Sequence, residues 1–64
     1  MDPNANLEEQ RQLAARLAQL SVEEAEADVA GLHADAVRLA ELIEALDGWI
    51  KRGGFLPKRW ERAK

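Results

Sequence analysis

Apolar residues recur at alternating steps of three and four through the second half of the chain. This spacing averages about 3.5 residues, keeps one apolar seam on one side of a helix, and is typical of helices that pack on helices. The pattern predicts a long second helix over about residues 22–52. We expect this helix to self-associate through one seam, which consists of Val29, Leu32, Ala36, Leu39, Ile43, Leu46 and Ile50.

A shorter run of good helix formers, without Gly or Pro, precedes the seam. It predicts a first helix over residues 7–20, which follows a frayed leader of residues 1–6. Asn6 and Glu9 have the spacing of a capping box, so we expect Asn6 to cap this helix. The apolar face of the first helix is formed by Leu13, Leu17 and Leu20.

A turn between the two helices is predicted because their apolar faces are out of phase. Ser21 and Glu24 have the spacing of a capping box, which marks the start of a helix, and Gly31 is a second candidate break. The turn is therefore expected between Leu20 and about Ala30. At about 1.5 Å per residue the first helix is about 21 Å long and the second about 43 Å, so a hairpin leaves part of the seam uncovered.

The fold class and assembly follow from the uncovered seam and the size of the chain. Sixty-four residues without Cys form a small core that no disulfide reinforces, which makes self-association the remaining means of stabilisation. The positions that flank the seam carry acids and no Lys or Arg, which disfavours a parallel coiled coil. We therefore expect a single all-α domain, a two-helix hairpin with a long second helix and a folded-back C-terminal GGFLP tail. Two such chains are predicted to pair into an antiparallel four-helix bundle, a homodimer.

Charge is uneven along the chain, whose formal net charge is −3. Residues 1–50 hold eleven acids and three bases, whereas residues 51–64 hold six bases and one acid. The tail over 53–64 combines cations with aromatic rings, and two interpretations stay open: it closes the fold, or it binds another molecule. The candidate partner-binding residues are Trp49, Phe55, Leu56, Arg59 and Trp60.

The sequence contains no constellation of catalytic, metal-binding or cofactor-binding residues. His33 is the single imidazole and Ser21 the single serine, and neither has the partners that a metal site or a nucleophile needs. We expect a protein that is not an enzyme and uses no cofactor, no metal and no small-molecule substrate. Its start is polar, unlike a signal peptide, and no apolar run is long enough for a membrane span, so a cytoplasmic location is expected.

Nucleic-acid binding is the alternative function. The basic residues of the tail interleave with Phe55 and Trp60, an arrangement that suits phosphate contacts and base stacking. The surplus of acids over residues 1–50 argues against this function because it repels a polyanion. The six cations concerned are Lys51, Arg52, Lys58, Arg59, Arg62 and Lys64.

The C-terminal third of the chain resembles a known sequence pattern. Residues 39–60, LAELIEALDGWIKRGGFLPKRW, are similar to the ending of small uncharacterised proteins of actinobacteria and their bacteriophages, which close on a pattern like LDxWLxxGGFLPxxW. Ile50 stands where Leu is usual, and the matching residues are Leu46, Asp47, Trp49, Gly53, Gly54, Phe55, Leu56, Pro57 and Trp60. The resemblance implies a small phage or actinobacterial accessory protein, in the host cytoplasm if phage-encoded, and brings no established activity.

Taken together, the pattern and the resemblance predict a protein–protein interaction module. It self-associates through the second helix, and a host protein is the candidate second partner.

Overall fold

A computed structural model describes residues 1–61. Helix α1 spans Pro3–Ala18, α2 spans Val22–Ala27 and α3 spans Val29–Lys51, and one 3-10 turn covers Lys58–Trp60. No strand is present over 1–61, so the prediction of an all-helical fold is confirmed for this range. The same range contains no helix that is both long and apolar enough to cross a membrane.

Helix α1 begins four residues earlier than predicted. Asp2 is the N-cap, since its carboxylate accepts hydrogen bonds from the backbone N–H groups of Asn4 (2.9 Å) and Ala5 (3.3 Å). Pro3 follows at the first helical position, where its fixed φ and missing N–H suit a helix start. The predictions of a frayed leader over 1–6 and of an Asn6 cap are therefore wrong. The Asp-Pro pair is the signal that marks the true start.

Asn6 belongs to α1, its side chain faces α3, and it is only 9% exposed. Its Nδ2 donates to the backbone carbonyl of Leu42 (3.0 Å), and its Oδ1 accepts from Nε2 of Gln10 (2.6 Å). A buried amide without partners would destabilise the fold, so these two bonds fix one rotamer and one position along α3. Asn6 therefore sets the register between the helices.

The predicted turn is split between two breaks. The first follows α1, and there the Ser21–Glu24 capping box is confirmed: the Ser21 hydroxyl accepts from the Glu24 N–H (3.1 Å), and the Glu24 carboxylate accepts from the Ser21 N–H (3.3 Å). The second break is Asp28, whose non-helical backbone separates α2 from α3 and whose side chain accepts from the Gly31 N–H (3.0 Å). The continuous helix predicted over 22–52 is therefore interrupted.

Two bidentate ion pairs hold α1 against α3 in an antiparallel arrangement. Arg16 contacts Asp35 at 2.9 and 3.0 Å, and Arg38 contacts Glu9 at 2.6 and 2.9 Å. The hydrogen bonds that Arg38 donates to the Glu9 carboxylate lower the pKa of Glu9, and the same bonds raise the pKa of Arg38. Because the pKa of Glu9 is lowered in the folded chain, the ion pair stabilises the fold fully at pH values above the ordinary pKa of a glutamate. This stabilisation is lost as the pH falls through the lowered pKa of Glu9.

The face of α3 that α1 covers differs from the predicted seam. Asp35 and Leu42 both contact α1, and both belong to what was predicted to be a flank of the seam. Leu42 and Leu46 are buried, while Leu32, Leu39 and Ile50 are half-buried. Val29 (62%) and Ile43 (49%) are exposed, and so is Ala36. The residues predicted as one self-association seam are therefore divided between the intramolecular core and the surface, and self-association through them stays a prediction.

Replacing Asn6 by Asp tests its role as the register-setting contact. The variant exchanges the Nδ2 donor for a carboxylate oxygen that faces the Leu42 carbonyl, and we expect a loss of about 1–3 kcal/mol in the free energy of unfolding. Asn4→Asp is the matched control because Asn4 lies in the same helical turn but uses its Oδ1 acceptor, which Asp retains. Urea unfolding at neutral pH measures the free energy of unfolding of both variants. Equal unfolding midpoints for the two variants would contradict the role of Asn6 as the register-setting contact.

Candidate partner-binding surfaces

The end of α3 is closed by two glycines in a Schellman motif. Gly53 has a φ of +88°, the left-handed conformation that glycine adopts without strain. Its N–H donates to the Ile50 carbonyl (3.0 Å), and the Gly54 N–H donates to the Trp49 carbonyl (2.9 Å). The chain therefore reverses immediately after α3, at the predicted helix end.

Trp49 is held in place by the residues that follow the reversal. Its indole Nε1 donates to the Phe55 carbonyl (2.9 Å), and the two rings meet edge to face with centroids 5.5 Å apart at 87°. Gly54 lies directly against the indole, and a Cβ at this position would overlap the ring. Trp49 was predicted as a partner-binding residue, but it is half-buried and packs within the chain.

The tail then returns to the start of α1. Pro57 and Pro3 are both fully buried. The Lys58 N–H donates to Oδ1 of Asn4 (2.7 Å), and Arg59 lies 3.7 Å from the carboxylate of Glu8. Residues near the two ends of the described chain therefore form one contact region. The sequence did not identify Asn4 as part of this contact region. Asn4 is a short polar residue in the segment predicted to be a leader, and it takes no part in the periodic pattern of apolar residues.

Three large apolar side chains of the tail stay on the surface. Phe55 is 61% exposed and Trp60 48%, and Leu56 is exposed between them. We call this set, Phe55, Leu56 and Trp60, the tail patch. Lys58 and Arg59 lie within the same short stretch and are exposed, so cations border the apolar surface. Arg62 and Lys64, also named as candidate cations from the sequence, lie outside the described residues.

A second apolar surface runs along α3, away from α1. Val29, Ala36 and Ile43 are spaced by seven residues, which places them on one side of the helix, and all three are exposed. We call these three residues the outer stripe. Ala40 beside it is small and exposed, and Ile50 continues it towards the tail. Such a row of unpaired apolar residues on a surface helix is typical of a face that contacts another helix.

A groove of about 360 Å³ lies between the end of α1 and the α2–α3 junction. Its apolar lining is Leu17, Leu20 and Leu32, and its acids are Glu24, Asp28 and Asp35. Each acid already has a partner within the chain, namely Ser21, Gly31 and Arg16. The groove therefore offers no unsatisfied polar group that would select a ligand.

The described residues hold no cluster of three or more His, Cys, Asp or Glu side chains arranged to bind a metal ion. His33, the single imidazole, is exposed on α3. The surfaces that remain as candidate functional sites are thus apolar, with charged residues at their borders.

Comparisons with protein-family models, curated protein sequences and solved structures found no match. The resemblance of residues 39–60 to actinobacterial and phage proteins therefore stays a prediction.

The contact between Gly54 and Trp49 predicts opposite effects for two glycine substitutions. Gly54→Ala places a methyl group in the indole ring, and we expect a loss of about 1–3 kcal/mol in stability. Gly48→Ala is the matched control: its Cβ meets only the mobile end of Arg52, at 3.3 Å, and alanine favours a helix interior by about 1 kcal/mol. Thermal unfolding followed by circular dichroism measures both. A Gly54→Ala variant that melts with the wild type would refute the close packing.

Proposed function

We propose that the protein is a non-enzymatic interaction module that forms a homodimer through the outer stripe of α3 and binds a second protein with the tail patch. The observation that carries the proposal is the exposure of Val29 and Ile43 on a side of α3 that α1 does not cover. The small intramolecular core supports it: the buried apolar side chains of the helices are Leu7, Leu13, Leu42 and Leu46. A second copy on the outer stripe adds a second apolar layer to α3.

The outer stripe favours pairing of two α3 helices in opposite directions. With Ala36 of one chain against Ala36 of the other, Val29 of each copy meets Ile43 of its neighbour. A large residue then faces a large one, and the alanines at the centre allow close approach. Two hairpins joined in this way form an antiparallel four-helix bundle, with each α1 on the outside.

The tail patch has the composition of a binding surface for another protein. Aromatic side chains and arginine dominate interface energetics, and Trp60 and Arg59 are one residue apart. The cations beside the patch suit an acidic, helical surface of the partner, which is a host protein if the chain is phage-encoded. The Trp49–Phe55 contact and the buried Pro57 hold the backbone of the patch, so binding requires little ordering.

Nucleic-acid binding has weaker support from the same residues. The Arg59 guanidinium lies by the carboxylate of Glu8, and the Lys51 ammonium is 3.0 Å from Asp47. Two of the cations thus have acidic neighbours that oppose contact with phosphate.

Dimerisation is tested by charge on the outer stripe. Ile43→Glu places a carboxylate in the proposed interface, and sedimentation should show a monomer where the wild type is a dimer at micromolar concentration. Val37→Glu is the matched control because Val37 is an exposed apolar residue of α3 that lies about a quarter-turn away from the stripe. It should leave the dimer intact. A wild-type chain that sediments as a folded monomer, or equal effects of both variants, would overturn the proposal.

The tail patch is tested by a double variant, Arg59→Ala with Trp60→Ala. Both side chains are exposed, so we expect the melting temperature to change little while recovery of a partner from host lysate is lost. Arg11→Ala, an exposed arginine of α1 without an ion pair in residues 1–61, serves as control. Equal recovery of the partner by the wild type, the double variant and Arg11→Ala would contradict partner binding by the tail patch. A large drop in melting temperature would instead indicate that the patch only closes the fold.

A further inference from the structure

His33, the only histidine in the sequence, lies on the side of α3 that faces away from α1. The contact of α3 with α1 includes the buried Leu42 and the side chain of Asp35. At about 100° per residue, His33 lies about 180° around the helix axis from Leu42 and about 160° from Asp35. The intramolecular core therefore leaves the imidazole uncovered, and His33 is exposed.

The surface around His33 is apolar. The residues one turn before and one turn after it on α3 are exposed alanines and valines, namely Val29, Ala30, Ala36 and Val37. Over residues 1–61 the imidazole forms no ion pair with an acid of α1, α2 or α3. The polar face of a surface helix ordinarily carries several charged residues, whereas here one imidazole is the ionisable group of a patch that is otherwise apolar.

His33 borders the outer stripe. It lies about 40° around the helix axis from Val29 and about 60° from Ala36. An apolar helix face that packs against another element is about 100° wide or more, so a contact centred on the outer stripe extends to His33. A second helix on the stripe therefore removes water from one side of the imidazole.

We propose that His33 makes self-association sensitive to pH, because the dimer forms with neutral imidazoles beside the outer stripe and weakens when they are protonated. The inference rests on the proposed homodimer and adds a regulation of that interface. Loss of water disfavours the charged form of an ionisable group, and histidine is the side chain that ordinarily changes charge between pH 5 and 8. Each dimer contains two such imidazoles, so the effect of protonation counts twice.

The charged groups of the second copy do not reverse this sign. The element that packs on the outer stripe is α3 of the second copy, and with Ala36 against Ala36 its charged groups nearest to His33 on the same edge are Glu44 and the second His33. At about 1.5 Å per residue they lie about 7.5 Å and about 9 Å along the axis from His33. Glu44 attracts a protonated imidazole and the second His33 repels it. At separations close to the screening length of about 8 Å these two contributions are weak and oppose each other, so the loss of water decides the sign.

Sedimentation at about pH 7.5 and about pH 5.5 gives the first test. Lys, Arg, Asp and Glu side chains ordinarily keep their charge over this range and the chain has no cysteine, so His33 is the side chain whose charge changes. We expect the dissociation constant of the wild-type dimer to rise about fivefold or more at the lower pH. A constant that stays the same, or that falls, would overturn the proposal. Circular dichroism at both pH values verifies that the chain stays helical.

Moving the imidazole gives the second test. His33→Gln has a neutral side chain at every pH, so we expect its dissociation constant to be the same at both pH values and close to that of the wild type at the higher one. Gln12→His combined with His33→Gln is the matched control, since it restores one histidine at an exposed position of α1. This control should be as insensitive to pH as His33→Gln alone. Acid weakening of either variant equal to that of the wild type would contradict the role of His33.

The outcomes separate the two proposals. A wild-type chain that is a monomer at about pH 7.5 would refute self-association and its pH dependence together. A wild-type dimer that Ile43→Glu dissociates, but whose dissociation constant does not rise with acid, would refute the role of His33 alone.

Discussion

The contact of α1 with one flank of α3 determines how every other apolar surface of this chain is used. Asn6 fixes the axial position of α1 along α3 through the Leu42 carbonyl. The Glu9–Arg38 and Arg16–Asp35 pairs fix the rotation of α3 about its own axis. Each pair is exposed and adds little stability by itself. Their importance is geometric, because bidentate carboxylate–guanidinium contacts tolerate little rotation of α3 under α1. The outer stripe is exposed as a consequence of this rotation.

The C-terminal segment packs against the start of α1, so its position also depends on how α1 lies on α3. Gly53 reverses the chain, Gly54 allows it to pass against the indole of Trp49, and Pro57 is then buried near Asn4 at the start of α1. The residues that resemble the actinobacterial pattern thus have two distinct structural roles. Trp49, the glycines and Pro57 build the closure, whereas Phe55, Leu56 and Trp60 remain largely on its surface.

The sequence predicted the local features of the fold better than the faces of the helices. The Ser21–Glu24 capping box and the Gly53 helix end could be identified because each depends on a few adjacent residues. The rotation of α3 could not, because the leucines at 32, 39 and 46 have apolar neighbours on both sides, Ile43 on one and Leu42 on the other. Periodicity does not say which side a second helix covers. Charged residues carried that information: Arg16 and Glu9 select the side of α3 that holds Asp35 and Arg38.

The candidate binding surfaces, too, could be predicted only in part from the sequence. Phe55, Leu56, Arg59 and Trp60 could be proposed from composition, and all four are exposed, but the half-burial of Trp49 depends on a glycine contact that no periodic pattern encodes. Polar residues that act through tertiary contacts were missed or misassigned for the same reason. Asn4 and Asn6 resemble turn residues in the sequence, yet one receives the returning tail and the other joins the helices.

The two buried prolines show how a short chain closes both of its ends with few residues. A proline side chain loses almost no conformational entropy on burial, and its ring adds apolar contact at low cost. Pro3 and Pro57 therefore reinforce the region where the tail meets α1 without requiring a larger core. The middle of α3 has no such reinforcement, because α1 covers one side of it and Ile43 on the other side faces solvent. Any molecule that covers the outer stripe binds the folded chain and not the unfolded one, so association and folding stability are thermodynamically linked.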